Sequence, residues 1–244
     1  MKDPKYTMRY HEIINEMPMP TPEMRSQRYY HGTKTTAAAE GILANGLKGV
    51  EIQGRGKLDP VAGRVYMTPS IEYATIYALG GVMMGHEYFG RDLAAEPYGY
   101  VFVISGDVLG DVQPDEDSIG EFVSSHTEWK LDERRIRRGF DFKHDRNDPE
   151  NAQKAAVWYA IKAAMTPKQF DDAAEGYVAQ QASGGKRALK KLTDAQKMLL
   201  LKWGAHLAAD GVVKPSECWR IEKKRCIELK KDASNFFEIA ERVD

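Results

Sequence analysis

The residues with the clearest chemical potential are a histidine beside a glycine, two tyrosines and several carboxylates. His31-Gly32-Thr33 places an imidazole next to a bare stretch of backbone. An imidazole can bond a sugar hydroxyl through one nitrogen while a neighbour of the other nitrogen fixes the tautomer. Gly32 has no side chain, so its N–H and C=O can approach an amide closely. Tyr66 and Tyr77 are eleven residues apart. Tyr66 falls at a strand end and Tyr77 roughly two and a half turns into the next helix, so the pair can offer two faces to a flat ring. A carboxylate close to a sugar whose glycosidic bond is breaking stabilises the positive charge that develops there. Carboxylates stand at Glu217, after the turn Lys214-Pro215-Ser216, and in the acidic run Asp115-Glu116-Asp117 followed by Glu121.

Other chemistry has little support. His11, His86, His126, His144 and His206 are scattered without the spacing of metal ligands, so no metal is expected. Gly54-x-Gly56 lacks a third glycine and a following helix, which argues against a Rossmann-type dinucleotide site. No Walker-type lysine loop and no Gly-x-Ser-x-Gly elbow occurs. Cys218 and Cys226 read as packing thiols without an adjacent histidine. Two basic stretches remain: Lys186 to Lys191, and Arg220 with Lys223-Lys224-Arg225. Their plain reading is a solvated helix face and a charged hairpin turn. The sharper alternative is a phosphate-contacting rim for a nucleic-acid acceptor, the second stretch bordering Glu217.

These groups need elements to hold them. Residues 1 to 27 read as an arm, because alternate prolines from Pro18 to Pro22 disfavour helix. Arg28-Tyr29-Tyr30-His31 reads as a strand. A helix capped by Thr35 or Thr36 follows, with Ala39, Ile42 and Leu43 on one side and Gly46 ending it. Residues 51–60 read as a loop. Arg64 to Thr68 reads as a strand running into a helix with Thr68 as N-cap and Pro69 at its first position. That helix carries Ile71, Tyr73, Ala74, Tyr77 and Ala78, and Gly80-Gly81 weakens it. Tyr98 to Ile104 is a nearly continuous apolar run, as in a strand buried on both faces. Residues 110–149 read as acidic, then basic and irregular. Helices are expected at 155–161, 170–180 and 195–209, with a break at Ser183-Gly184-Gly185. Strand character returns in Cys218 to Ile221 and Arg225 to Leu229. Strands that bracket a helical block make an α+β pattern with a helical insertion.

The bulk numbers agree with an ordinary globular chain. Of 244 residues, 42 % are hydrophobic and 29 % charged, and the net charge of -1 gives no general attraction to nucleic acid or anionic membrane. Two cysteines, a polar N-terminus and the lack of a long apolar run make a soluble, cytoplasmic protein the expectation.

Three segments taken together carry a resemblance: Tyr30-His31-Gly32-Thr33, Gly41 to Leu47, and Gly63 to Thr68 with Tyr77 following. In order and spacing they are similar to the diphtheria-toxin and poly(ADP-ribose) polymerase branch of ADP-ribosyltransferases. That branch has a histidine-glycine-serine/threonine strand end, a helix ending in a glycine-leucine turn, and a strand tyrosine followed by a second eleven positions on. Residues 98–112 resemble the next strand of the polymerase domain, and the last thirty residues resemble it weakly. The resemblance implies a split mixed/antiparallel β-sheet core with flanking helices, spanning 28–244 with a mostly helical insertion at about 150–209. It implies NAD+ as co-substrate, held by His31, Gly32, Thr33, Tyr66 and Tyr77, with His31, Tyr66 and Glu217 catalytic. Glu217 matches the family's glutamate at the front of a late strand. Asp115, Asp117 and Glu121 are the rivals, since some antibiotic-modifying relatives place an aspartate after the third strand. The polymerases' carboxamide-bonding serine corresponds to Ala74, with Thr75 beside it as the candidate replacement.

The implied activity is transfer of a single ADP-ribose to a macromolecular acceptor, protein or nucleic acid, with release of nicotinamide. Mono-transfer is favoured because nothing identifies a second site for a growing polymer. NAD+ hydrolysis, a tRNA 2′-phosphotransferase-like reaction, and NAD+ or partner binding without turnover are the alternatives. The phosphotransferases also open with histidine-glycine-threonine, but they have a histidine-rich second strand where this chain has Val65-Tyr66-Met67.

Overall fold

The computed structural model describes residues 19–49, 63–79, 95–126, 149–175, 178–225 and 235–243. The 51–60 loop, Gly80-Gly81, the 226–229 strand segment and the first 18 residues of the arm lie outside these. What remains of the arm forms a short helix, α1 (Pro22–Ser26), capped by Thr21. It is packed down, with Met24 buried in the core.

Strand β1 (Arg28–Thr33) leads into α2 (Thr36–Asn45), where the Thr35 side chain accepts from Ala38 N–H. Gly46 ends α2 at φ 77°, a backbone region that favours glycine. Ala39 is buried, whereas Leu43, expected on the same inner side, is exposed. A two-residue strand, β2 (Leu47–Lys48), precedes β3 (Arg64–Met67). Helix α3 (Ile71–Ala78) begins two residues later than expected. Ser70, not Thr68, accepts the capping bond, from Tyr73 N–H. Thr68 is occupied in pairing with Tyr30, and its hydroxyl accepts from Ser70 N–H at 3.1 Å.

Strand β4 (Tyr98–Ser105) is buried along its middle, as its continuous apolar run requires. The region expected to be irregular then folds into β5 (Val112–Pro114) and α4 (Glu116–Ser125). Four helices follow: α5 (Pro149–Ala164), α6 (Pro167–Ala174), α7 (Val178–Leu189) and α8 (Asp194–Lys202). Three expectations fail here. The helix expected over 170–180 is instead the end of α6, which stops at Ala174, and the start of α7 at Val178. Helix α7 runs straight through Gly184-Gly185, because a Cβ at Gly185 would lie 1.8 Å from the Glu116 carbonyl oxygen. The glycine admits α4 against α7 rather than breaking the helix. The helical block also stops at Lys202, and the last residues of the expected 195–209 helix become β6 (Leu207–Asp210). Strands β7 (Val212–Val213) and β8 (Glu217–Glu222), a short helix α9 (Phe236–Ile239) and β9 (Glu241–Val243) complete the described chain.

The architecture is α+β. One antiparallel sheet has the order β1-β4-β8-β9 and a second the order β3-β6-β5, with β2 and β7 forming a small pair. The two larger sheets touch at one bridge, Tyr30 with Thr68. Their facing sides bury Tyr29, Phe102, Ile104 and Cys218 with Val65, Met67, Leu207 and Ala209. The outer side of the first sheet is covered by α3 through Ala74 and Ala78, and by Phe236. A separate core in the helical block gathers Trp158, Ile161 and Phe170 around Ile119, Phe122 and Val123 of α4. Helix α4 therefore belongs to both halves: its side packs the helical block, and its first turn meets the sheets.

Close approach of α3 fixes one glycine of the chemical motif. A Cβ at Gly32 would lie 2.0 Å from the Ala74 carbonyl oxygen and 2.8 Å from Ala78 N, both backbone atoms that cannot swing away. Gly32→Ala is expected to destabilise the fold by about 3 kcal/mol, lowering the thermal midpoint by roughly 5–10 °C. Gly41, inside α2 with nothing within 4 Å of an added Cβ, is the contrast. Gly41→Ala is expected to stabilise the fold by about 0.5–1 kcal/mol and so raise the midpoint slightly. Thermal unfolding of the two variants beside wild type checks both signs.

Candidate active site

The candidate site is built where the sheets part. Tyr30 and Thr68 exchange two backbone bonds, Tyr30 N–H to Thr68 O at 2.8 Å and Thr68 N–H to Tyr30 O at 2.9 Å. Beyond them toward His31, β1 and β3 form no further ladder, and the His31 ring spans the gap. Its Nδ1 lies 2.9 Å from the Tyr66 carbonyl oxygen. A carbonyl only accepts, so Nδ1 carries the hydrogen and donates it. Burial pushes the His31 pKa below its usual value, the bond to Tyr66 opposing this only in part. The ring is therefore neutral near pH 7, with the Nε2 lone pair free to accept from a hydroxyl.

Tyr66 points its side chain the other way. Its neighbours Val65 and Met67 enter the core between the sheets, so alternation sends Tyr66 and Arg64 to the opposite face. There Tyr66 Oη donates to Glu116 Oε2 at 3.1 Å, and Arg64 Nη1 donates to Glu116 Oε1 at 3.2 Å. Gln113 lies in the same row through Ala208, and its side-chain oxygen accepts from Arg64. Arg64, Gln113 and Glu116 are all buried. Sequence spacing does not reveal Arg64 and Glu116 as partners: 52 residues separate them, and the acidic run marks one of the two alone.

The first turn of α4 concentrates negative charge beside this row. Asp115 is the N-cap and accepts from Asp117 N–H at 3.3 Å. Carboxylates suit a helix N-terminus, which explains acids here but not their burial. Desolvation pushes the Asp115 carboxyl well above the usual range, and the charges of Asp117 and Glu116 add to this. Asp117 is raised to about 6, by desolvation first and Glu116 second, with Lys186 opposing. Its Oδ1 is buried without a hydrogen-bond partner among the described residues. Glu121, one turn on, is raised by desolvation and by Asp117.

Tyrosines of α3 face these acids. Tyr77 is 53 % exposed, which leaves a ring face open. Its phenol pKa is raised by burial of the hydroxyl and then by Asp115, Asp117 and Glu121. Tyr73 feels Glu121 most strongly and stacks edge-on against His206, 4.6 Å between ring centroids. The His206 backbone is clamped to α4, accepting from Asp115 N–H at 2.7 Å and donating to Ser118 Oγ at 2.9 Å. His31, Tyr66, Tyr77 and the rival acids thus border one region.

The other expected residues lie elsewhere. Glu217 opens β8 and accepts from Trp219 Nε1 at 2.8 Å. It shares a row with Val103 and Tyr30, and its charge raises the Tyr30 phenol after burial does. His31 is in the next row, with Phe102 and Cys218, so the two side chains leave opposite faces. Glu217 also stands two strands from β1, about 10 Å, on the side away from β3. Thr75 is fully buried and its hydroxyl donates to the Ile71 carbonyl at 2.7 Å, so it offers no group to a ligand. Thr33 sits half-buried opposite Tyr100. Lys223, expected in a charged turn near Glu217, is buried at the far end of β8, where Nζ donates to the carbonyls of Lys34 and Glu96. Arg220 pairs with Glu241 at 2.7 Å and lies over Tyr98, so this basic stretch does not form a rim beside Glu217. Cys218 is buried, its thiol pushed up to about 11 by burial, as a packing role predicts.

Among the described residues, no group of three or more His, Cys, Asp or Glu is placed to hold a metal ion, and no helix is long and apolar enough to cross a membrane. Comparison of the chain with protein families, with curated proteins and with solved structures finds no match.

The raised Asp117 carboxyl has a measurable sign. Its folded pKa of about 6 exceeds the unfolded value, so the folded state binds the proton more tightly. The charge therefore destabilises the fold above pH 6, and that cost disappears as the pH falls below about 4. Asp117→Asn is expected to stabilise the protein at pH 8 by about 1 kcal/mol, after solvent screening and loss of a favourable helix-terminus charge. At pH 4 the gain should vanish. Thermal unfolding at the two pH values checks this, and a destabilised variant at pH 8 would contradict it.

Proposed function

We propose that the chain is an NAD+-dependent mono-ADP-ribosyltransferase that carries its dinucleotide in the split between β1 and β3. The observation that carries this reading is the His31–Tyr66 bond across the split. It leaves a neutral imidazole with Nε2 free to accept from a ribose hydroxyl. The resemblance in the sequence assigns these two residues to that work, and the two-sheet core meeting at one bridge is compatible with the split sheet of that class.

On this reading the nicotinamide ring lies against Tyr66 and the open face of Tyr77. The bond between the ribose C1′ and the nicotinamide nitrogen breaks, and its electron pair leaves with the ring. Positive charge spreads over C1′ and the ring oxygen. An acceptor nucleophile attacks C1′ and releases its proton, so NAD+ and acceptor become ADP-ribosyl acceptor, nicotinamide and a proton. The charge needs an anion nearby. Asp117 fits better than Glu217, because it is ionised above pH 6, has an unpartnered buried oxygen and borders Tyr77. Glu217 is bonded to Trp219 on the other side of the first sheet. The acceptor is a macromolecule, protein or nucleic acid.

Two measurements test this. NAD+ at millimolar concentration is expected to raise the thermal midpoint of the wild type, because a ligand of the native state stabilises by mass action. The increase should vanish in Tyr66→Ala and persist in Tyr159→Ala. Nicotinamide release, followed with labelled NAD+, is expected to fall about 100-fold or more in Asp117→Asn and little in Glu217→Gln. A silent Glu217→Gln beside an active Asp117→Asn would move the anion to β8. Label recovered only as free ADP-ribose would make water the acceptor.

A further inference from the structure

Glu116 does not face open solvent, yet it is the carboxylate in direct contact with Tyr66. One oxygen accepts from the Tyr66 hydroxyl and the other from Arg64, and Gln113 of β5, two strands from β3 across Ala208, lies against Arg64. Arg64 Nε also lies 3.6 Å from Asp210. The backbone of Glu116 is fixed too. Its carbonyl packs on Gly185 of α7 so closely that no Cβ fits between them. A chain of contacts thus runs from the helical block through Gly185 and Glu116 to the hydroxyl of a tyrosine whose carbonyl is bonded to His31.

We propose that Glu116, backed by Arg64, is the positioning residue that sets the Tyr66 ring, and that docking of α7 at Gly185 holds it in place. This rests on the NAD+ reading for its consequence in binding, but the orientation of Tyr66 can be read without NAD+. A buried ion pair of this kind costs desolvation and is a poor way to gain stability alone. What it supplies is direction: a buried carboxylate anchored by Arg64 gives the Tyr66 phenol a fixed acceptor. The helical block, on this account, does more than cover the sheet. Its seating decides whether the Tyr66 face is presented to a ring in the split.

The test places 3-fluorotyrosine at position 66 and reads its 19F resonance in the full chain. Wild type is expected to give one sharp line. Glu116→Ala should shift and broaden it, while Glu116→Gln, which keeps an acceptor oxygen, should restore a single line. Gly185→Ala should broaden it from a distance. NAD+ affinity is expected to fall about tenfold in Glu116→Ala, the size of one lost hydrogen bond to a charged group. It should fall no further when Tyr66→Phe is already present. If Glu116→Ala does not fold, the double variant Arg64→Met, Glu116→Met removes both charges at similar volume and is read in the same way. An unchanged 19F line in the Glu116 variants overturns the positioning role. A line that responds in a protein that binds no NAD+ keeps the positioning role and removes the NAD+ reading instead.

Discussion

The partial divorce of the two sheets is the constraint on which the rest depends. Tyr30 and Thr68 hold them at one bridge, and beyond it a regular ladder would leave no room for a ligand. Strands that separate expose backbone groups that must find partners. His31 supplies one by donating to the Tyr66 carbonyl, and in doing so fixes its own tautomer. The tautomer of the imidazole follows from that one opening, while strand alternation with Val65 and Met67 turns Tyr66 outward. Helix α3, seated on Gly32 and Gly99, stiffens one wall. The first turn of α4 forms the other.

That second wall is electrostatically uncomfortable. Asp115, Glu116, Asp117 and Glu121 lie within two helical turns, and three of them have carboxyls pushed upward by burial and by one another. The helix N-terminus and Arg64 offset part of this. The remainder is the sort of charge that a fold retains where a cation must be stabilised. A developing oxocarbenium ion is such a cation, so the same feature that weakens the folded state gives the site its proposed power.

Local elements of the fold were legible in the sequence because local signals set them. The apolar run of β4, the Thr35 cap and Gly46 stop of α2, and the tyrosines of β1 all act over a few residues. What escaped was set at a distance. Leu207-Ala208-Ala209 has high helix propensity, yet Ala208 is a strand residue because it must fit between Tyr66 and Gln113. Gly184-Gly185 has the composition of a break, but the approach of α4 makes glycine the residue that permits a continuous helix. For the site, His31 and Tyr66 were each singled out by motif, but neither their bond to one another nor the pairing of Arg64 with Glu116 shows in the sequence, since only folding brings these residues together. Glu217 stood out by its place before a strand. Sheet register then placed it on the face opposite His31, a parity that sequence order alone does not reveal.

The most direct test of the central claim is the His31 imidazole itself. In protein labelled with 15N-histidine, the two ring nitrogens of His31 can be followed during titration with NAD+, with assignment by His31→Asn. The free protein is predicted to show a protonated Nδ1 and a bare Nε2 at pH 7.5. Saturating NAD+ is predicted to shift Nε2 as it accepts a ribose hydroxyl, while Nδ1 stays protonated against Tyr66. If both nitrogens keep their free-state shifts at saturation, the dinucleotide does not occupy the split, and the account of this site is wrong.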